Sequence, residues 1–107
     1  MNYSKYGNRK IKTEDGTFDS QHEYKRWIEL KLLQRAGEIK ELERQVKFEL
    51  VPKQDGERAI HYVADFVYID NRTGEKVVED AKGAKTDVYI IKRKLMLYKH
   101  NIRVKEV

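Results

Sequence analysis

Apolar residues recur along the chain at two different spacings, and each change of spacing marks an element. From residue 20 to 37, Tyr24, Trp27, Ile28, Leu30 and Leu33 fall at helical steps. Ser20 with Glu23 three residues later forms a capping box at the start, and Ala36-Gly37 supplies the stop. From Glu43 to Val51 the period becomes two: Val46, Phe48 and Leu50 share one face, Gln45, Lys47 and Glu49 the other, and Pro52 ends the run. A polar turn at 53–58 leads into Ala59–Ile69, rich in β-branched and aromatic residues, and a second turn at 70–75 leads into a strand over Lys76–Lys82. Thr86 caps a second helix, on which Val88, Ile91, Leu95 and Tyr98 recur at steps of three and four, and Ile102–Val107 reads as a last strand.

The short turns predict an antiparallel meander, and the helical crossover predicts a last strand parallel to its neighbour. The order is α-β-β-β-α-β: one α/β (α+β) domain over 1–107, a mixed sheet flanked by helices. Residues 1–18 form a basic arm, irregular or a small hairpin turning at Asp15-Gly16 with Ile11 and Phe18 as anchors.

Composition narrows the function. With 107 residues the chain has room for one core, so a large substrate must lie across its outside or across a dimer. The absence of cysteine excludes thiol catalysis, disulfides and Cys-rich zinc sites. Ile60–Ile69, the longest apolar-rich stretch, is broken by His61 and Asp65 and falls far short of the roughly 20 residues that span a bilayer. Residues 1–12 lack a signal-peptide hydrophobic region, so the expectation is a soluble cytoplasmic protein with no membrane partner.

The net charge of +5 is segregated. Lys5, Arg9, Lys10 and Lys12 make the start basic, eight basic residues against Asp87 make 82–105 basic, and the middle is acidic. This pattern suits a polyanion: Lys and Arg neutralise phosphates while carboxylates hold a cation. Lys85, Lys92 and Lys94 join the first four as candidate DNA contacts, although Lys92, Arg93 and Lys94 step by about 100° around the helix and do not all face one way.

Among the acids, Asp65 stands inside an apolar strand, where an ion needs a cation, donors or a metal to offset several kcal/mol of desolvation. Asp80 and Lys82, two apart on the next strand, point to one face. Acid-x-Lys occurs four times, at Glu23, Glu29, Glu38 and Asp80, but only the last follows a strand run. If the strands are neighbours, Asp65 and Asp80 converge, and two carboxylates with a lysine suit phosphodiester hydrolysis: Mg²⁺ takes one or two carboxylates plus the substrate phosphate, and Lys82 orients water or neutralises developing charge. The histidines show no metal spacing, and Gln45 either lines this site or faces solvent.

Asp65 followed by Glu79-Asp80-Ala81-Lys82-Gly83 resembles the signature of the PD-(D/E)xK nuclease superfamily, and the element order is similar to that superfamily's restriction-endonuclease-like core. The likeness extends to a family of small phage and prophage proteins through Thr17–Glu23, Tyr62–Phe66, Val78–Gly83 and Ile102–Val107. Ala64 replaces the usual proline and Asp80 the commoner Glu. The resemblance implies a phage- or prophage-encoded DNA endonuclease in a bacterial cytoplasm, acting on branched or recombination intermediates as a Holliday-junction resolvase does. It implies Asp65, Asp80 and Glu23 as ligands of Mg²⁺, with Mn²⁺ as a substitute, and Lys82 as the catalytic lysine. Cutting both strands with so small a chain suggests a homodimer with paired sites. The alternative is a nucleic-acid-binding accessory module that keeps the fold without cleavage.

Overall fold

The computed structural model describes residues 10–81 and 85–107. Lys5, Arg9 and Lys82 lie outside the described residues. The arm forms the predicted hairpin, β1 (Ile11–Thr13) and β2 (Gly16–Phe18), with Ile11 opposite Phe18. Thr13 Oγ1 accepts from the Asp15 amide at 3.1 Å and donates to the Gly16 carbonyl at 2.9 Å, closing the turn. Helix α1 (Gln21–Arg35) is capped by Ser20, whose hydroxyl accepts from the Glu23 amide, and Gly37 at φ 81 turns the chain away.

Strand β3 (Ile39–Val51) starts four residues before the alternation predicts, because Ile39 and Lys40 pair with the end of β4 (Ile60–Asp70). Strand β5 (Lys76–Asp80) pairs antiparallel with β4. Helix α2 (Asp87–His100) ends at Asn101 in the left-handed conformation, and the expected last strand shrinks to β6 (Lys105–Glu106), parallel to β5. The sheet order is β3-β4-β5-β6, so the fold is α+β with a mixed four-stranded sheet. Among the described residues no helix is long and apolar enough to cross a membrane.

Two apolar clusters lie on opposite faces of this sheet. Leu50, Tyr62, Ala64, Val67 and Val78 pack with Tyr89 and Met96 of α2. Phe66, Tyr68, Ile39 and Ala81 pack with Leu30 of α1 and Phe18 of the hairpin. In an undisturbed strand, alternate residues keep one face, so Leu42 would sit with Val46, and Ala64 with Phe66. They do not: Leu42 packs with the α1 cluster and Val46 with the α2 cluster, and Ala64 and Phe66 are divided in the same way. Both strands reset their alternation at one rung, between Arg44↔Phe66 and Val46↔Ala64. The residues of that rung are Gln45, held at φ 52, and Asp65. A left-handed non-glycine residue costs roughly 1–2 kcal/mol.

Helix phase departs from the sequence reading. Of the predicted stripe, Leu95 packs against the core, but Val88, Ile91 and Tyr98 point outward, Tyr98 being 88% exposed, while Tyr89 and Met96 are buried. Tyr89, Arg93, Met96 and His100 form a second helical stripe one position round, and α2 uses that one because Tyr89 carries its hydroxyl to Glu106 while Met96 fills the core. On α1, Ile28 and Leu33 are exposed and Glu23 is buried, since this helix turns charged residues toward the sheet.

Two cations among the described residues hold the hairpin: Lys31 Nζ donates to Asp15 Oδ2 at 2.7 Å, and Arg44 makes the wider set of contacts. The Arg44 guanidinium lies 3.6 Å from the Phe18 ring centroid and donates to the carbonyls of Asp15 (3.1 Å) and Thr17 (2.9 Å).

Candidate functional site

The reset rung assembles the first part of the site. Gln45 Nε2 donates to Glu23 Oε2 and to Asp65 Oδ1, both at 3.3 Å, so one amide bridges a carboxylate from the first turn of α1 and one from the middle of β4. The other oxygen of each carboxylate is anchored to backbone. Glu23 Oε1 accepts from the Asp19 amide at 2.8 Å, and Asp65 Oδ2 from the Ala81 amide at 2.8 Å. The capping box is thus altered: Glu23 reaches back to the amide of Asp19 rather than Ser20, and one carboxylate both caps and joins the site.

Glu23 is only 3% exposed. Burial, followed by the charge of Asp65, pushes its carboxyl up to about 7, with the Asp19 amide opposing the shift. Among the described residues, no Lys or Arg pairs with Glu23 or Asp65.

Asp80 ends β5, one step beyond the Phe66↔Glu79 pair and therefore alongside Asp65. It is 1% exposed and accepts from the Tyr62 hydroxyl at 2.6 Å. Burial first, then the charge of Asp80 and, more weakly, that of Asp65, raises the Tyr62 hydroxyl above its ordinary range. The two acids therefore act on one hydroxyl from adjacent strands.

Glu79 faces the other way. It is fully buried under α1, where Arg26 grips it with two parallel bonds, Nε to Oε1 at 2.8 Å and Nη2 to Oε2 at 2.7 Å, and the Tyr68 hydroxyl donates a third to Oε2. Period two favours Asp80 over Glu79 for the site, and the geometry gives Glu79 this separate partner set.

The remaining candidates scatter. Lys10 pairs with Asp19 at 3.1 Å on an exposed surface, and Lys12 is exposed. Lys85 pairs with Glu106 at 3.0 Å. Lys92 is half-buried and lines a 280 Å³ cavity between α2 and β4 with Tyr62, Thr86 and Tyr89. His22 and His100 bond backbone carbonyls, of Val107 and Glu49. Arg26 and Tyr62 carried no signal in the sequence, because their partners are set by sheet register and helix phase.

Among the described residues no three His, Asp or Glu side chains group closely enough to hold a metal ion. Glu23 and Asp65 do form a carboxylate pair short of positive charge, which fits a hard cation that takes one or two carboxylates and keeps several waters.

A family model described as a protein of unknown function (DUF1064) matches residues 3–106. No curated protein and no solved structure matches the chain.

Proposed function

The chain belongs to the DUF1064 family, and we propose that it is a Mg²⁺-dependent endodeoxyribonuclease of the PD-(D/E)xK kind, cutting branched or recombination intermediates of DNA as a Holliday-junction resolvase does. The observation that carries this reading is the bridged pair, Glu23 and Asp65 sharing the Gln45 amide beside Asp80. A left-handed Gln45 and a buried acid near neutrality both cost stability, and cation binding offsets the second cost.

Glu23 and Asp65 would hold the cation, with Asp80 the third acid on the adjacent strand. When bound, the cation supplies charge neutralisation at the phosphate and lowers the pKa of a bound water. Gln45 keeps the two carboxylates in place through one donor to each. Tyr62 fixes Asp80 Oδ2 by its hydroxyl hydrogen. Lys82 takes the role the resemblance implies, orienting water or meeting the negative charge that develops on the phosphate. Two copies, each with one such site, would cut two strands.

The test is incubation of the pure protein with labelled junction, flap, duplex and single-stranded DNA in Mg²⁺, Mn²⁺ or EDTA. Cleavage of branched substrates in Mg²⁺ or Mn²⁺, and none in EDTA, is expected. Binding without cleavage under every condition would leave the accessory module, a reading that draws on the engagement of buried Asp80 with Tyr62.

A further inference from the structure

Between α2 and the C-terminal segment runs a groove of 510 Å³, lined by Arg93, Lys94, Leu97, Arg103, Val104 and Glu106. Three cationic side chains stand around it against one carboxylate. That carboxylate is held by three donors: the Tyr89 hydroxyl at 2.7 Å, Arg93 Nη1 at 2.9 Å and Lys85 Nζ at 3.0 Å. The hydroxyl and the guanidinium meet Oε2 and the ammonium meets Oε1, and donors of these kinds spread over the oxygens of one anion are also how proteins hold a phosphate.

Register ties the groove to the proposed site. Glu106 is aligned with Asp80 across the parallel β5–β6 pair, the Val107 amide donates to the Asp80 carbonyl at 3.0 Å, and neighbouring strands lie about 4.8 Å apart. A nucleic-acid strand lying in the groove therefore runs one strand away from Asp80.

We propose that this groove binds the phosphodiester backbone of DNA through Arg93, Lys94 and Arg103, and that in the free protein Glu106 occupies the place a backbone phosphate takes in the complex. The choice of DNA rests on the proposed function; the phosphate chemistry stands on the groove itself. Glu106 is firmly ionised, its carboxyl drawn down to about 2 by the Tyr89 hydroxyl and then by Lys85 and Arg93. Near neutral pH it is therefore a standing internal anion. A phosphate entering the cluster exchanges for a carboxylate that swings toward solvent, and Lys85 and Arg93 keep a negative partner throughout.

The experiment is fluorescence anisotropy of a labelled mixed-sequence duplex with the full chain in EDTA, across a salt series, so that no cleavage enters the readout. Arg103→Ala and Lys94→Ala, both at exposed positions, should each weaken binding several-fold and lower the log–log salt slope by about 0.9. Glu106→Gln, which keeps an acceptor for Tyr89, should tighten binding several-fold and steepen the slope. Parental affinity and slope in the Arg103/Lys94 double variant would overturn the groove, and unchanged or weaker binding in Glu106→Gln would overturn the exchange. Inorganic phosphate at matched ionic strength should compete weakly. Competition per phosphate equal to that of unlabelled duplex would assign the groove to free phosphate instead. A chain that passes these tests yet cuts no DNA keeps this groove and loses the nuclease reading; a chain that cuts DNA with groove variants at parental affinity does the reverse.

Discussion

Glu79 and Glu23 are both buried glutamates at the α1 face, and their surroundings are opposite in kind. Glu79 is saturated: a bidentate Arg26 and the Tyr68 hydroxyl meet both its oxygens. Glu23 has two backbone and side-chain amide donors, a second carboxylate beside it and no cation among the described residues, and its carboxyl rises to about 7. Burial of an acid is therefore uninformative until its compensation is counted. The saturated acid stabilises a fold, and the uncompensated one is available to a ligand.

Substitutions separate the two regions. The largest effect belongs to Asp80→Asn, which should abolish metal-dependent cleavage with fold and DNA binding near parental, because under the proposed function it removes the third acid's charge at constant volume, and it leaves an acceptor for Tyr62. Equal turnover in mutant and parent would remove Asp80 from the site. Lys82→Ala should lose rate while keeping metal affinity, read by calorimetric titration with Mn²⁺, and a loss of affinity as severe as in Asp80→Asn would refute that division of roles.

Glu79→Gln should act on stability instead. It removes the charge that meets the half-buried Arg26, which among the described residues keeps only Glu29 at 3.8 Å, a change that should cost about 1.5–3 kcal/mol in urea unfolding. Cleavage should persist in the folded fraction; a variant that is fully stable but inactive would invert the comparison.

Glu23 also has a signature in pH. Its folded-state value of about 7 lies above the ordinary 4.5, so the folded chain binds the extra proton and stability falls as pH rises from about 4.5 to 7. The loss is about 3 kcal/mol at most. In EDTA, Glu23→Gln should flatten this slope, while in the parent Mg²⁺ should restore stability at pH 7. A parent with no decline over that window would show Glu23 to be adequately compensated. The smallest effect is expected from Lys10→Ala with Lys12→Ala, which should lower the salt slope of DNA binding by about 0.9 per lost contact.

Much of the fold is written in local pattern. The capping Ser20, the Asp15-Gly16 turn, the stop at Gly37, the period of β3 and the β-branched and aromatic content of β4 act within a few residues, and they give the elements in order. The helix faces were legible only in part: Tyr24, Trp27 and Leu30 of α1 and Leu95 of α2 pack as the spacing predicts, while Ile28, Leu33, Val88, Ile91 and Tyr98 do not. Val88, Ile91 and Tyr98 form as good a stripe as Tyr89, Arg93, Met96 and His100, and only the reach of Tyr89 to Glu106 selects between them. For the site, an acid inside an apolar strand pointed to Asp65, since buried charge is costly wherever it falls, and the spacing of Asp80 with Lys82 at the end of a strand run pointed to Asp80. The bridging role of Gln45 was hidden, because alternation assigns it to a solvent face and nothing in a single strand reveals that both strands reset at the same rung.

That rung also constrains how the protein can change. Deleting Gln45 alone, or Asp65 alone, would throw one strand out of phase with its partner and push apolar side chains into water. Deleting both together would bring Arg44↔Phe66 directly beside Val46↔Ala64, giving regular alternation through this stretch of the ladder with the same two cores. The hairpin can therefore lose this irregularity only by paired edits in two distant parts of the gene, and the smoother protein that results has no Gln45 to bridge and no Asp65 to be bridged.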